Sequence, residues 1–361
     1  MENLVLEKVD KIYTKGKQKV QAVNQLSLAA NNNEFIALLG PSGCGKSTTL
    51  RMIAGLEDIS NGVISIAGTA INEKRPRDRN VGLAFENYAL YPPLTVYENI
   101  AFNLRAKGTP QAQIDAEVSK ISKLMKIESL LDLKPSRLSG GQKQRVNIAR
   151  AIARRPKVLL LDEPLSHLDG KMRQAMRTEI KRLHHELGFT SLIVTHDQSE
   201  AMALADRIAI MNDGVLQQYG APMEVYSKPN NLFVAGFIGE PAMNFLDGVV
   251  SFIDGDSYFI IPNKNVKFRI QNGIAAPNQE VVVGIRPNEI HIDFEQNDVL
   301  SKIVVIEDLV EERRITVDIA STSIVVQTEE RVTLKTDDKL GVAFPLESLH
   351  IFEKQSGQRL N

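Results

Sequence analysis

The residues from Gly40 to Thr48 form a glycine-rich segment whose spacing suits phosphate binding. The segment reads GPSGCGKST, so Gly40 is followed after four residues by Gly45, Lys46 and Ser47. Glycines let the backbone approach phosphate oxygens, the lysine supplies a cation to the β- and γ-phosphates, and the hydroxyl can bind magnesium. This spacing predicts a nucleotide site. The predicted site also includes Pro41, Ser42, Gly43, Cys44 and Thr48.

Two acids and a histidine follow later apolar runs and could carry out hydrolysis. Asp162 and Glu163 end the run KVLLLDEP, and His196 ends SLIVTH. Asp162 can hold magnesium through its water shell, and Glu163 can accept a proton from the attacking water. His196 is expected at the edge of a sheet, where it can hydrogen-bond a γ-phosphate. These residues predict that the bound nucleotide is hydrolysed.

A second glycine-rich loop, LSGGQ, has no lysine of its own. It reads as a turn that enters a helix, with backbone amides free to hold an anion. Without a lysine it cannot form an ordinary complete site, so we expect it to complete a site elsewhere. Two chains placed head to tail achieve this, since the loop of each chain then caps ATP on the phosphate loop of the other. The predicted capping residues are Ser139, Gly140, Gly141 and Gln142.

Buried strands that alternate with helices must position these residues. The runs EFIALLG, KVLLLDEP and TSLIVTHD are short, continuous and apolar, which is typical of a parallel sheet covered on both faces. Between the last two, residues 171–188 have helical spacing, with His184 and His185 expected to be solvated on the polar side. We predict an α/β P-loop ATPase domain over residues 1–239, with an inserted helical subdomain at about residues 88–155.

The pattern changes after Gly239, where short strand-like runs follow one another at short intervals and long helical periods disappear. This pattern predicts a separate all-β, OB-like barrel domain over residues 240–361. Every residue with a predicted role in hydrolysis precedes it. We therefore expect the barrel to be regulatory or to stabilise a dimer.

Composition excludes several classes of protein. The 361 residues include 43 Lys and Arg against 44 Asp and Glu, so the net charge of −1 gives no electrostatic reason to expect nucleic acid as the main partner. Cys44 is the single cysteine, which rules out an intrachain disulfide. No charged leader with an apolar core opens the chain, and no apolar run approaches the roughly 18 residues of a spanning helix. A cytoplasmic protein is expected.

Taken together and in order, the phosphate loop, LSGGQ, the DEP run, LSHLD and VTHD resemble the motifs of the ATP-binding subunit of an ABC transporter. The stretches YALYPPLTVYENIAFNL, VAGFIGEPAMNFLDG and VVVGIRPNEI resemble subunits that energise carbohydrate importers of the maltose and multiple-sugar type. The resemblance implies ATP and Mg²⁺, a homodimer with composite ATP sites, and integral membrane permease subunits. It also implies an extracytoplasmic solute-binding protein as an indirect partner and a peripheral position on the cytoplasmic face of the membrane.

The resemblance also implies roles for single residues. Tyr13 matches the aromatic residue that stacks on adenine, and Asp169 of LSHLD matches the acid that crosses the dimer interface. Residues 88–93 match the groove that receives a permease helix. Glu86 departs from the family, which has a glutamine that touches magnesium and the attacking water. A carboxylate can still bind magnesium, so Glu86 is expected in the catalytic and metal site, with slow turnover. The alternative is that its side chain points to the permease and alters coupling only.

Two other functions compete with the energising subunit of an importer. A soluble ABC-type ATPase acting on nucleic acid or ribosomes usually has two cassettes in one chain or a long coiled-coil insertion, and this chain has neither. A phosphotransferase would not need LSGGQ. We therefore predict an ATPase that energises solute import, with carbohydrate favoured over glycerol-phosphate-like solutes, polyamines and iron.

Overall fold

A computed structural model of the chain describes residues 2–16, 18–293, 297–330 and 333–361. The chain forms two compact units, residues 1–223 and 224–361, which are described separately. Within the described ranges, no helix is both long enough and apolar enough to span a membrane.

The first unit alternates strands and helices. Its strands are β1 (Glu2–Lys15), β2 (Gln18–Asn31), β3 (Phe35–Leu39), β4 (Asn61–Ile66), β5 (Thr69–Ala70), β6 (Val81–Ala84), β7 (Val158–Asp162), β8 (Thr190–Thr195), β9 (Arg207–Asn212) and β10 (Val215–Gly220). Its helices are α1 (Lys46–Ala54), α2 (Val96–Ala106), α3 (Gln111–Met125), α4 (Gly140–Ile152), α5 (Gly170–Leu187) and α6 (Gln198–Leu204). A further helix, α7 (Pro222–Ser227), lies across the division between the units.

The central sheet has the strand order β10-β9-β3-β8-β7-β6 and is parallel except for β10. Every residue of β3, β7 and β8 is buried, as their continuous apolar sequences predict. Because β3, β8, β7 and β6 are parallel neighbours, their carboxyl ends lie along one edge of the sheet. The residues that follow these four strands are therefore brought together.

A second sheet, with the order β2-β1-β4-β5, shares a core with the central sheet. Leu4 and Val23 from this sheet pack in one cluster with Leu50 of α1 and Leu160 of β7. The helices α2, α3 and α4 contact one another, and α4 also contacts β6. The helical segment therefore joins the central sheet at the strand that precedes Glu86.

The second unit is mostly β-structure. Its elements are α8 (Leu232–Phe237), β11 (Asn244–Ile253), β12 (Asp256–Ile260), β13 (Lys267–Arg269), β14 (Glu280–Ile285), β15 (His291–Ile292), β16 (Val299–Asp308), β17 (Arg313–Ile319), β18 (Thr322–Thr328), β19 (Lys339–Ala343) and β20 (His350–Glu353). They form two five-stranded antiparallel sheets, β13-β12-β11-β14-β20 and β15-β19-β16-β17-β18, which share one apolar core. The predicted all-β, barrel-like fold is confirmed.

The helix α8 belongs to the second unit although it precedes Gly239. Ala235 of α8 is buried against Met243, Val282 and Phe352. The contacts of the chain therefore change at Met223, earlier than the boundary that strand-like runs predict, because a helix that packs on a sheet leaves no strand pattern in the sequence.

His350 of β20 is a buried ionisable group in the core of the second unit. Its side chain is buried, and its Nδ1 has no hydrogen-bond partner among the described residues. Burial, together with the positive charges of Arg359 and Arg286, lowers the pKa of His350 to about 4. The folded chain therefore holds this imidazole neutral at pH values where the unfolded chain protonates it.

Acidification should consequently destabilise the second unit through His350. A folded pKa below the unfolded one means that the stability present at neutral pH is lost as the pH falls from about 6.5 towards 4. Between pH 7 and pH 5 the loss should be about 2 kcal/mol. Urea unfolding at both pH values measures it, and His350→Gln should lose less stability than the unsubstituted chain. The exposed His291, changed to Gln as a control, should leave the full pH effect; an equal pH effect in His350→Gln would contradict this assignment.

Candidate active site

The phosphate loop joins β3 to α1 and is shaped by close backbone packing. Gly45 caps α1 with φ 104°, and a Cβ atom there would lie 2.5 Å from the carbonyl oxygen of Ala22. Lys46 is buried, and its Nζ donates to the carbonyl oxygens of Gly40 and Pro41, both at 2.8 Å. The helix bond from Thr49 N to Gly45 O leaves the preceding amides without helical acceptors. Amides and ammonium together can bind an anion here.

The remaining residues of the loop differ in how far their side chains are exposed to solvent. Cys44 is buried and receives a weak hydrogen bond from Lys46 Nζ at 3.7 Å, so it fills the loop from inside. Ser42 and Gly43 are exposed at the tip, and Ser47 and Thr48 are partly exposed at the start of α1. The loop therefore presents its backbone and hydroxyls outward, where a phosphate chain can reach them.

Glu163 and His196 meet at the carboxyl ends of the neighbouring strands β7 and β8. Glu163 Oε2 lies 3.1 Å from His196 Nδ1. Glu163 has φ 43°, a left-handed conformation that is rare for a residue with a side chain and typical of functional sites. Its amide donates to Val194 O at 2.9 Å, and its carbonyl oxygen accepts from Ser166 Oγ at 3.0 Å. The backbone thus holds the carboxylate towards His196, the residue expected at a γ-phosphate.

Asp162 lies just inside the same edge and has one unused oxygen. The side chain is buried, and its Oδ1 has no hydrogen-bond partner among the described residues. Burial raises the pKa of Asp162, and the charges of Glu86 and Glu163 raise it further, whereas Arg51 and a hydrogen bond with Ser47 act in the opposite direction. A cation bound beside Ser47 and Asp162 would relieve this cost, so the residues fit Mg²⁺.

The protein groups alone do not surround a metal ion. Among the described residues, no group of three or more His, Cys, Asp or Glu side chains could hold one. Mg²⁺ prefers six oxygen ligands and often takes several of them from substrate phosphates and water. The site near Asp162 therefore suits magnesium that arrives with a nucleotide.

Glu86 follows β6 and points towards the LSHLD segment. Its Oε1 lies 3.7 Å from Nε2 of His167, and both side chains are about half exposed. The ring of Tyr88 meets the ring of His167 edge to face, with 6.2 Å between centroids. The negative charge of Glu86 nevertheless affects Asp162 in the metal site, because this charge helps to raise the pKa of Asp162.

Two buried polar residues of α4 hold the segment that follows Glu86. Asn147 Nδ2 donates to Phe85 O at 2.8 Å, and Arg150 donates to the carbonyl oxygens of Tyr88 and Ala89. Tyr88 and Ala89 both have positive φ, 63° and 45°, so this is a tight and specific turn. No motif in the sequence points to Asn147 or Arg150. The pattern that could have identified them is a pair of polar residues, three positions apart, on the buried face of a helix.

The LSGGQ loop forms the start of α4. Ser139 Oγ accepts from Gln142 N at 3.4 Å, and Gln142 Oε1 accepts from Ser139 N at 2.8 Å, which is a capping box. A Cβ atom at Gly140 would lie 3.5 Å from Tyr88 Oη. The loop therefore lies beside the turn that follows Glu86 in its own chain, and the amides at the start of α4 can hold an anion.

Asp169 is the N-cap residue of α5, as Ser139 is of α4. Its Oδ1 accepts from Met172 N at 2.9 Å and caps the helix. A Cβ atom at Gly141 would lie only 2.8 Å from Met172 Sδ, so α5 and the LSGGQ loop pack closely. Asp169, LSGGQ and the Glu86 segment thus form one connected surface.

Tyr13 lies on β1 opposite Val20 of β2. Further along β2, the carbonyl oxygen of Ala22 packs against Gly45 of the phosphate loop. The Tyr13 ring is partly exposed, and Lys11 Nζ lies 4.8 Å from its centroid. An aromatic ring placed this close to a phosphate loop can stack on a nucleotide base.

His184, which the helical pattern predicted to be solvated, is buried. Its Nδ1 lies 3.0 Å from Ser191 Oγ and its Nε2 lies 3.2 Å from Asn33 O. Burial lowers its pKa. The prediction was wrong because this face of α5 packs against the sheet at Phe35, whose ring centroid is 5.0 Å from that of His184.

The chain is similar to known proteins in both of its units. The ABC transporter family model matches residues 23–166, and the MalK OB fold domain model matches residues 239–290. The chain is 43% identical to the trehalose/maltose import ATP-binding protein MalK of Thermococcus litoralis, over 95% of this chain and 96% of that protein. It is 42% identical to the oligosaccharides import ATP-binding protein MsmX of Bacillus subtilis, over the full length of both.

A third relative and two solved structures extend the comparison. The sn-glycerol-3-phosphate import ATP-binding protein UgpC 1 of Rhizobium johnstonii is 42% identical over 94% of this chain and 92% of that protein. Two dimeric structures of one ATP-binding cassette, one in a post-hydrolysis state with ADP and phosphate, each match with TM-score 0.56 and 31% identity. Each match covers 61% of this chain and 98% of the cassette.

Proposed function

The chain belongs to the ATP-binding subunits of ABC transporters, and we propose that it hydrolyses ATP to energise the import of a carbohydrate through a membrane permease. The observation that carries the proposal is the meeting of Lys46, Asp162 and the Glu163–His196 pair at one edge of the central sheet. Full-length similarity to import ATP-binding proteins supports the transport role.

ATP is the substrate, and each residue at this edge of the central sheet has a separate role in binding or hydrolysing it. Lys46 and the first amides of α1 bind the phosphates, while Tyr13 stacks on adenine. Glu163 accepts the proton of the attacking water, and His196 orients Glu163 and reaches the γ-phosphate. Ser47 and Asp162, with Glu86 nearby, would hold Mg²⁺, which neutralises phosphate charge when bound.

The complete site needs a second copy of the chain. Ser139, Gly140, Gly141 and Gln142 of one protomer cap ATP on the phosphate loop of its partner, and Asp169 links the two sites. The similar cassette structures are described as dimeric, which supports this arrangement. The permease docks on the surface near residues 88–93, so that the chain lies peripherally on the cytoplasmic face of the membrane, and a solute-binding protein delivers the solute from the other side.

The competing function, an ATPase acting on nucleic acid or ribosomes, has no comparable support. Three relatives carry names of import proteins, for trehalose and maltose, oligosaccharides, and sn-glycerol-3-phosphate. The first two favour a carbohydrate as the solute. The nearly balanced net charge of the chain gives no electrostatic reason to expect nucleic acid as its main partner.

Reconstitution tests the function directly. The permease that copurifies with the chain from detergent-solubilised membranes is placed in liposomes with the chain, ATP and a solute-binding protein. We expect ATP-dependent uptake of a labelled carbohydrate, measured against sn-glycerol-3-phosphate. Retention of RNA or DNA in place of a permease, or uptake that does not require ATP, would overturn the proposal.

Glu86→Gln should raise the ATPase rate of the assembled transporter. The variant removes a negative charge that raises the pKa of Asp162 and crowds the site that also receives phosphate. We expect the ATPase rate to increase about two- to tenfold, because a repulsive charge several ångströms from the site is removed. ATP binding should change little. Steady-state rates across pH at saturating magnesium provide the measurement.

The control for this experiment is Glu128→Gln, an exposed carboxylate on a short turn after α3. It should leave the rate unchanged. Equal rates of Glu86→Gln and the unsubstituted chain at every pH would remove the electrostatic argument and leave Glu86 a coupling role only.

A further inference from the structure

Arg173 lies in the first turn of α5 and connects two segments that carry parts of the proposed active site. Its Nη2 donates to the carbonyl oxygen of Leu168 at 3.3 Å, and its Nη1 donates to Asp197 Oδ2 at 3.4 Å. Leu168 immediately precedes Asp169 in LSHLD, whereas Asp197 immediately follows His196. One side chain therefore bridges the LSHLD segment and the residues that follow β8.

The acceptor of Arg173 beyond β8 belongs to a closed set of hydrogen bonds. Thr195 Oγ1 donates to Glu200 Oε2 at 2.7 Å and accepts from Asp197 N at 3.0 Å. Asp197 Oδ1 accepts from Glu200 N at 3.0 Å and caps α6. Arg173 Nε faces the same set, 3.9 Å from Glu200 Oε1. The residues on both sides of His196 are therefore fixed to one another, and Arg173 fixes them to LSHLD.

The charge of Arg173 compensates two neighbouring carboxylates. Glu200 is buried, and Asp197 is only partly exposed. Burial and the negative charge of Asp197 raise the pKa of Glu200, whereas the positive charge of Arg173 acts in the opposite direction. Without this cation the two carboxylates would repel each other in a poorly solvated place. The conformation of the chain after β8 therefore depends on Arg173.

The bridge closes a ring that includes the proposed general base. His196 Nδ1 lies 3.1 Å from Glu163 Oε2. Glu163 in turn begins the short segment that ends at Leu168. The ring runs from Glu163 along this segment to Arg173 and returns through the residues that follow β8. A displacement of LSHLD is therefore passed on to His196 and changes its position relative to Glu163.

Resting on the proposed function, we propose that Arg173 is a positioning residue that makes the placement of His196 beside Glu163 depend on the position of LSHLD. This segment carries Asp169, the residue proposed to link the two sites of the dimer. Contact between the protomers at Asp169 therefore acts on the hydrolytic pair through Arg173. Because Arg173 acts through His196 and not on ATP itself, its loss affects the rate of hydrolysis and not the binding of ATP.

Arg173→Met tests the proposal in the full chain. The variant keeps an unbranched apolar side chain but removes the hydrogen-bond donors and the charge. We expect kcat for ATP to fall about tenfold or more, since displacing reacting groups by about 1 Å can cost about 10²-fold. The KM for ATP should change by less than about twofold. Arg177→Met, the same change one turn further along α5, is the matched control and should leave both constants unchanged.

Two further variants separate positioning from a merely structural role. Arg173→Lys keeps the charge but presents one nitrogen instead of a planar fork, so it should recover part of kcat. Asp197→Asn removes the charged acceptor of Arg173 and keeps the oxygen that caps α6. It should lower kcat, and combining it with Arg173→Met should add little, because both changes break the same connection. Thermal unfolding checks that each variant folds.

The outcomes distinguish this proposal from the proposed function. If the unsubstituted chain hydrolyses no ATP, the proposed function itself fails. If it does and Arg173→Met has the kcat of the Arg177→Met control, Arg173 does not position His196. Losses that multiply in the double variant, or a KM that rises as much as kcat falls, also contradict the proposal. If Arg173→Met does not fold, Asp197→Asn decides: an unchanged kcat overturns the proposal, and a tenfold loss at unchanged KM supports it.

Discussion

The Glu163→Gln variant is expected to hydrolyse ATP about 10²–10⁴-fold more slowly than the unsubstituted chain, the usual contribution of a general base. Glutamine preserves the size of the side chain and an oxygen that can accept from His196, whose Nδ1 lies 3.1 Å from the carboxylate. It cannot take a proton from water. ATP should therefore still bind, and an ATP-bound dimer should accumulate because hydrolysis no longer separates the protomers.

Phosphate release at saturating ATP and magnesium measures the rate, and light scattering measures the mass of the protein with and without ATP. Glu128→Gln is again the control, because it makes the same chemical change on an exposed turn. A rate within a few-fold of the control would exclude Glu163 as the base. A mass that does not change on addition of ATP would count against the composite site.

Asp162→Asn is expected to have opposite effects on stability and on function. Burial, helped by the charges of Glu86 and Glu163, raises the pKa of Asp162 in the folded chain. A folded pKa above the unfolded one means that stability present at low pH is lost as the pH rises and the carboxylate ionises. Asparagine does not ionise, so the free variant should unfold at a higher temperature at pH 7.

The same variant should bind magnesium less well. Loss of a residue that acts through the water shell of a metal typically costs about 10–100-fold in metal affinity or activity. Thermal unfolding with ATP, with and without magnesium, measures both effects in one experiment. Asp132→Asn, an exposed control, should show the same magnesium-dependent rise in unfolding temperature as the unsubstituted chain. If magnesium raises the unfolding temperature of Asp162→Asn by the same amount, Asp162 does not help to bind the metal.

The proposed permease surface and the proposed hydrolytic site share structural elements in this chain. Asn147 and Arg150 of α4 hold the turn after Glu86. The LSGGQ loop begins the same helix. A shift of α4 when ATP brings two protomers together would therefore move the docking surface and the Glu86 segment as one body.

Local patterns in the sequence are enough to predict the strands that position the site. Continuous apolar runs are buried strands of a parallel sheet, as predicted. Asp213 with Gly214, a pair that favours tight turns, joins β9 to β10 in a hairpin. These features depend on neighbouring residues in the chain. Hydrophobic period and turn chemistry specify them locally, and the α/β and barrel-like folds follow from the order of the elements.

The tertiary structure alone decided which side chains face one another. Glu163 and His196 are far apart in sequence, as are Glu86 and His167, and each pair meets only because parallel strands and their loops bring the residues to one edge. His184 was misjudged for the same reason, since a histidine on a helix is buried or solvated according to what packs against it. A local pattern specifies an element and its apolar face, whereas a contact between elements depends on strand order, register and loop conformation, which many distant residues determine together.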